Sequence, residues 1–298
     1  MPRIALLTLE DRTGYVIDDE LVVTELRDRG CDAVEIPWSD STVDWSRFDL
    51  VIVRTTWDYH LRIHEFLDTL ARIEASGALL VNARDLIVWN LDKRYLEELA
   101  VRGVAIVPSL WGDTATAPDF TRLFARLGSD EVVVKPVVSA NALDTFRLRA
   151  PLSDSQLDEL VRTFADRPWC AQPFVHSVLT EGELSVFYFG GHLSHAVRKV
   201  PESGDFRVQE EHGGSITSVP ITDDVRRVTD TVIRAVTPMP FQARVDLVRL
   251  HDGSLALMEL EMIEPSLYFR THPDAAANFA NAVDALLQRS ARSVGDAR

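Results

Sequence analysis

Through the first ninety residues, short apolar runs alternate with segments of helical period. Residues 3–9 (RIALLTL), 32–37 (DAVEIP), 48–53 (FDLVIV) and 78–82 (ALLVN) have the length and β-branched content of buried strands. Between them, residues 18–30 (DDELVVTELRDRG) and 63–77 (IHEFLDTLARIEASG) repeat apolar positions every three to four residues and stop at Gly30 and Gly77. This β-α-β rhythm predicts an open parallel sheet, a Rossmann-like unit over residues 1–89. A second unit is expected over 90–170, with a helix at 91–103 (LDKRYLEELAVRG), a strand at 104–109 (VAIVPS), a helix at 119–128 and a strand at 131–137 (EVVVKPV). A third, over 171–298, has longer strands that double back. In ELSVFYFGGHLSHAVRKV (183–200) the Gly190-Gly191 pair suits a two-residue hairpin turn. A helix near 223–236, two strands within 241–261 and a helix from about 274 to 289 complete an α/β, or α+β, fold.

One strand breaks the apolar pattern. In LALMELEMIEPSLYF (255–269), Glu259, Glu261 and Glu264 sit among leucines, methionines and an isoleucine. Strand alternation puts Glu259, Glu261 and Leu257 on one face, with Met258, Leu260 and Met262 on the other. Two carboxylates side by side repel unless a cation separates them, and oxygen ligands with room for water suit Mg²⁺. Equally, that face could be the solvated side of an amphipathic strand. Glu264 falls on the exit loop, out of the period of two, and is expected to be solvated.

Composition narrows the partners. The chain has 298 residues and a net charge of −15, a balance that disfavours nucleic acid and anionic membrane as main partners. Cys31 and Cys170 lack metal-ligand spacing and are expected as buried, reduced thiols of a cytoplasmic protein. No window of about 18 uncharged apolar residues suggests a membrane span.

Candidate chemistry lies where strands run out. After residues 48–53 come Arg54, Trp57 and Asp58, which offer a fork for a carboxylate, a pocket wall and an acceptor for an amine. A cap at Asp58 and core packing of Trp57 would fit the same residues. Lys93, Lys135 and Lys199 each stand in apolar or turn-like surroundings. Singly each reads as a snorkelling surface lysine; with the carboxylate pair they suggest a triphosphate and magnesium.

In that order and spacing, the chain resembles the ATP-grasp carboxylate-amine ligases over some 200 residues. NLDK (90–93) and VVVKP (132–136) resemble the two lysine motifs, and QPFV (172–175) the hinge that holds adenine. The resemblance implies nucleotide binding by Lys93, Lys135, Gln172, Phe174, Val175 and Glu183. It implies two Mg²⁺ ions held by Asp246, Glu259 and Glu261, with Lys199, Arg207 and Arg244 as catalytic cations. The segment AVRKVPESGDFRVQEEHGG (196–214) is similar to the ligases that add glutamate to ribosomal protein tails, and RTTWDY (54–59) resembles the small cyclising ligases of cycloserine formation.

The resemblance implies an ATP-grasp fold and amide formation through an acyl phosphate. The expected substrates are a small amino-acid-like carboxylate bound at Arg54, Trp57 and Asp58 and an amine, with homodimers common in such ligases and antibiotic biosynthesis one setting. Addition of amino acids to a peptide tail, or nucleotide sensing without catalysis, are the alternatives. Two departures matter. Glu261 stands where the family usually has Asn, and the phosphate loop VVSANALDTF (137–146) has no glycine, leaving the backbone N–H groups of Ser139, Ala140 and Asn141 to cradle phosphate.

Overall fold

The computed structural model describes the backbone of residues 1–296 and the side chains of residues 1–290. Three sheets follow one another along the chain. The first is parallel, with β1 (Arg3–Thr8), β2 (Asp32–Pro37), β3 (Leu50–Thr55) and β4 (Leu79–Val81) in the order β2-β1-β3-β4. β3 is buried along its whole length, as a strand covered on both faces must be. Helices Asp19–Asp28 and Ile63–Ala75 bury Val22, Val23 and Leu26, and Phe66, Leu70 and Ile73, respectively.

The second sheet is antiparallel, with β5 (Leu110–Gly112), β6 (Glu131–Pro136), β7 (Phe146–Arg149) and β8 (Trp169–Pro173) in the order β5-β8-β6-β7. The third, also antiparallel, has β9 (Glu183–Phe189), β10 (His192–Val200), β11 (Ser215–Ser218), β12 (Gln242–Arg249) and β13 (Leu255–Glu261) in the order β11-β10-β9-β12-β13. Gly190 and Gly191 both have positive φ, 58° and 79°, so the turn joining β9 to β10 has the primed geometry that matches strand twist. Among the described residues no helix is long and apolar enough to cross a membrane, and both cysteines are free and buried.

The first sheet docks onto the third through side-chain amides. Asn82 donates to the carbonyls of Gln242 (3.0 Å) and Met262 (2.7 Å), while the Gln242 amide reaches the carbonyls of Val53 (2.8 Å) and Ile263 (3.0 Å). Asn90 brackets β13 from the same side, donating to the Leu260 carbonyl and accepting from the Met262 N–H, each at 2.8 Å. Buried amides satisfied at both ends fix position where apolar packing alone would allow sliding.

Local expectations change in three places. Residues 104–109 do not form a sheet strand: one parallel bridge joins Ile106 to Leu257, and Pro108, which has no N–H, ends the ladder. A helix at Arg84–Leu91 precedes the shorter Tyr95–Val101, so Lys93 lies in the link between them. The register of β12 against β13 jumps from Asp246↔Glu259 to Leu247↔Leu257, leaving Met258 as the extra residue of a β-bulge. The bulge turns Leu257 onto the core face with Leu260 and Met262, and Met258 joins Glu259 and Glu261 on the other.

Candidate active site

A cavity of about 210 Å³ runs between the second and third sheets, from the end of β8 to the loops that leave β3 and β13. At the β8 end its wall is apolar, with Val133, Phe174, Val175, Val178, Met258 and Leu260. Phe174 lies under the Arg147 guanidinium, 3.7 Å from ring centroid to carbon, and Gln172 donates to the Ser109 hydroxyl at 3.0 Å. A flat aromatic base fits between such walls, with strand-end polar groups at its edge.

The middle of the cavity is a lattice of charge. Lys199 and Asp246 are buried, and Lys199 Nζ lies 2.5 Å from Glu183 and 3.3 Å from Asp246. Arg244 grips both Asp246 oxygens from its Nε at 3.0 Å and also pairs with Glu261. Lys93 lies 3.3 Å from Glu259 and donates to the Ser139 carbonyl at 2.9 Å, tying the phosphate loop to the strand carboxylates. Lys135 lines the same stretch, as does Arg207, held by Asp205 at 2.7 Å.

The titration of these groups follows from that arrangement. Burial opposes ionisation of Asp246, but Arg244 and Lys199 outweigh it and hold the carboxyl down to about 2. Burial likewise works against Glu259, and Lys93 with Lys135 overcomes it, lowering the pKa. Burial raises Glu183 despite Lys199. It raises Glu261 too, against the pull of Arg244.

Glu264 was expected in solvent and is instead 3% exposed, because the loop after β13 turns inward beneath the first sheet. Its carbonyl accepts from the Trp57 indole at 2.8 Å, and the residue is part of the cavity lining. Burial and the neighbouring Glu261 push it well above the usual carboxylate range.

The three residues expected to bind substrate part company. Trp57 lines the cavity, 5% exposed, together with Tyr59 at 4%. Asp58 faces away, accepting from the Trp38 indole at 2.7 Å and pairing with Arg62 at 2.8 Å. Arg54 lies outside the cavity: its guanidinium pairs with Asp19 at 2.7 Å and reaches the Pro265 carbonyl at 3.2 Å. A carboxylate 35 positions earlier in the chain took the fork first. Tyr59, Asn90, Tyr95 and Tyr268 line the cavity as well. Tyr268 carries a positive φ of 46°, backbone strain of a kind that gathers at functional sites.

The donor set can be tested against magnesium. Glu259 and Glu261 retain side-chain exposures of 33% and 23%, share one strand face and offer hard oxygen donors, which fits a divalent ion. Asp246 is different: both its oxygens are engaged by Arg244, and it does not line the cavity. Among the described residues no group of three or more acidic, histidine or cysteine side chains is arranged around a common metal position. The fit therefore rests on the glutamate pair, with Asp246 buttressing Arg244 and Lys199 from beneath.

Two family models match: the N-terminal domain of the D-cycloserine synthetase DcsG over residues 4–82, and the ATP-grasp domain of prokaryotic glutathione synthetase over residues 108–238. The chain is 32% identical over 302 residues to the cycloserine biosynthesis protein DcsG of Streptomyces lavendulae, covering 94% of this chain and 97% of that one. It is 27% identical over 197 residues to a probable alpha-L-glutamate ligase of Xylella fastidiosa (strain M12), covering 65% of this chain and 63% of the relative. The crystal structure of D-cycloserine synthetase DcsG superposes with a TM-score of 0.84 at 31% identity, over 96% of this chain and 99% of that one.

Proposed function

The chain belongs to the ATP-grasp ligases, carbon-nitrogen bond-forming enzymes that use ATP and Mg²⁺, and within that family we propose that it closes a small amino acid on itself. The supporting observation is the shape of the cavity beyond the charge lattice. It ends between Trp57, Tyr59 and Tyr268, at 5%, 4% and 6% exposure, a buried aromatic wall that suits a small molecule and leaves little passage for a peptide. The likeness to a cycloserine biosynthesis protein spans nearly the whole chain, including the unit that supplies Trp57 and Tyr59, whereas the likeness to a glutamate ligase covers 65% of it.

In this reading adenine sits against Gln172, Phe174 and Val175, and Glu183 takes the ribose hydroxyls. Lys93, Lys135 and the loop at Ser139 to Asn141 receive the phosphates. Glu259 and Glu261 would hold magnesium, one ion or two, which when bound screens the phosphate charge. The substrate carboxylate attacks the γ-phosphorus, the bond to ADP breaks, and an acyl phosphate results. A nitrogen on the same molecule then attacks the acyl carbon, phosphate leaves, and the nitrogen gives up a proton. Lys199, Arg207 and Arg244 stand where negative charge shifts between oxygens, so they stabilise the transfer without reorganising. A buried end wall holds the nitrogen near the acyl carbon and excludes the water that would hydrolyse the intermediate.

The test is a reaction of purified protein with ATP, Mg²⁺ and D- and L-serines carrying a nitrogen on the side-chain oxygen, followed by phosphate release and mass spectrometry. Cycloserine opened at its ring amide is O-aminoserine, so that compound leads the panel. The expected product is the acid less one water, formed without added amine. Product formed only when a second amine or a peptide is supplied would replace the cyclising reading with an intermolecular one.

A further inference from the structure

We propose that Glu264 is the acceptor for the ammonium group of the amino-acid substrate, at the aromatic end of the cavity. The assignment rests on the cyclising reading and adds the contact that recognises its substrate. Glu264 is 3% exposed and lines the cavity, and although the Tyr59 hydroxyl bonds its carboxyl, its Oε2 has no hydrogen-bond partner. No cationic side chain lies within ion-pair distance of it among the described residues. Among charged groups the carboxylate of Glu261 acts on it most strongly and repels it, against a weaker pull from Arg244 and Lys93. A buried carboxyl in that position is costly unless something with N–H groups arrives.

The rest of that end is organised to receive such a group. The Trp57 indole fixes the loop through the Glu264 carbonyl at 2.8 Å, so the side chain projects from a pinned backbone. Trp57 itself is braced from outside by Tyr15, with ring centroids 5.0 Å apart. Cations line the cavity at its middle, as Lys199, Arg207 and Arg244, and the end beyond them has aromatic rings and a carboxyl. An amino acid carries its own charges in the same order, carboxylate then ammonium, within a few bonds. An ammonium has three donors to offer and gains further from an aromatic face. Held between Arg244 and Glu264, the substrate would present its carboxylate to the phosphates in one orientation only.

The experiment uses two rings as probes, D-cycloserine and the same ring without its amino group, titrated calorimetrically into protein saturated with Mg²⁺ and ADP. Wild-type protein is expected to bind the amino ring about tenfold more tightly or better, the scale of one charged hydrogen bond. In Glu264→Gln that preference falls to about twofold or less, while affinity for the amino-free ring and the KM for ATP stay within about twofold of wild type. Glu264→Asp, which keeps the charge one carbon shorter, gives an intermediate preference and serves if the Gln variant does not fold. A preference retained in Glu264→Gln overturns the assignment, and a parallel rise in the KM for ATP overturns it in favour of a metal-side role. If neither ring binds wild-type protein, the cyclising reading falls and takes this contact with it, a result distinct from a preserved preference, which removes Glu264 alone.

Discussion

Arg54 and Arg244 are two buried arginines that meet carboxylates at similar distance and in opposite circumstances. Arg54, 1% exposed, pairs with Asp19 at 2.7 Å beside a cavity of only about 10 Å³, roughly one water. Arg244 pairs with Asp246 at 3.0 Å and with Glu261, and lines a cavity twenty times larger. The first pair is matched, one charge against one: the Gln242 side-chain and Pro265 carbonyls take a second guanidinium nitrogen, and the Arg54 Nε and the Asp19 Oδ2 are left buried without partners. The second is open, because Glu183, Asp246, Glu259 and Glu261 share Lys93, Lys199 and Arg244, and two of the carboxylates keep exposure toward the cavity. A sealed ion pair ties the helix Asp19–Asp28 to the end of β3, whereas an unbalanced, accessible lattice is ready for a charged ligand. Burial of a charge alone does not separate the two cases; the balance of charge and the access to it do.

The largest effect is expected from breaking each arginine in turn. Arg244→Met and Arg54→Met each strand a buried carboxylate, and each should cost about 3–5 kcal/mol of stability by urea denaturation. Turnover divides them. Measured at low temperature where both variants remain folded, phosphate release should fall by about a hundredfold or more for Arg244→Met and stay within about threefold for Arg54→Met. A selective tenfold rise in the KM for the carboxylate substrate in Arg54→Met would return the substrate fork to the end of β3.

His195 sharpens the same contrast, as a buried titratable group with no carboxylate to balance it. It is 2% exposed on β10, stacked 4.3 Å from Phe187, with Nε2 bonded to the Leu267 carbonyl at 2.9 Å and Nδ1 next to the Ser194 hydroxyl at 3.0 Å. The other titratable ring facing it is His272, at 5.8 Å. Burial pushes its pKa down to about 4, with the Leu267 carbonyl pulling the other way. The folded value lies below the unfolded one, so its contribution is present above pH 6.5 and is lost as pH falls toward 4. From pH 7.5 to pH 5 the loss from this residue should be about 2 kcal/mol. His195→Leu should remove that part of the pH slope in urea denaturation, although its stability at pH 7.5 is lower. An unchanged slope would place the imidazolium among acceptors it does not have here.

Legibility in the sequence followed the range of the interactions. The parallel sheet, the Gly190-Gly191 turn and the lysines around the cavity were readable because alternation, helical period and turn chemistry act over a few residues. Leu257 was put on the wrong face because a bulge at Met258 resets the alternation, and the bulge is a property of pairing with β12 that β13 does not announce. The Arg54 partner is Asp19, which reads as an ordinary helix-start acid until the helix docks. Glu264 looked solvated because it follows the strand, and its burial depends on Trp57, 207 positions away. Asp246 could be paired with Glu259 from the hairpin alone, but its enclosure by Lys199 needed β9 and β10 in place.

The smallest effect is expected in the phosphate loop, where three residues other than glycine take positive φ. Without a glycine, it places Asn141, Ala142 and Asp144 at φ of 54°, 53° and 53°. Asn and Asp tolerate the left-handed region through local hydrogen bonds, and Asp144 is also held by Arg167 at 2.5 Å. Ala142 has no such compensation, and its methyl costs about 1 kcal/mol there. Ala142→Gly relieves that strain and at the same time loosens the unfolded chain by about 0.5–1 kcal/mol, so the two nearly cancel and Tm should move by no more than about 2 °C. Binding should not cancel. Glycine opens loop conformations other than the one in which Lys93 reaches the Ser139 carbonyl at 2.9 Å, and these must be closed again when nucleotide arrives. The KM for ATP should therefore rise by about threefold with kcat little changed. A fall in that KM would mean that the strained loop opposes the nucleotide and that the paired charges of the floor do the holding.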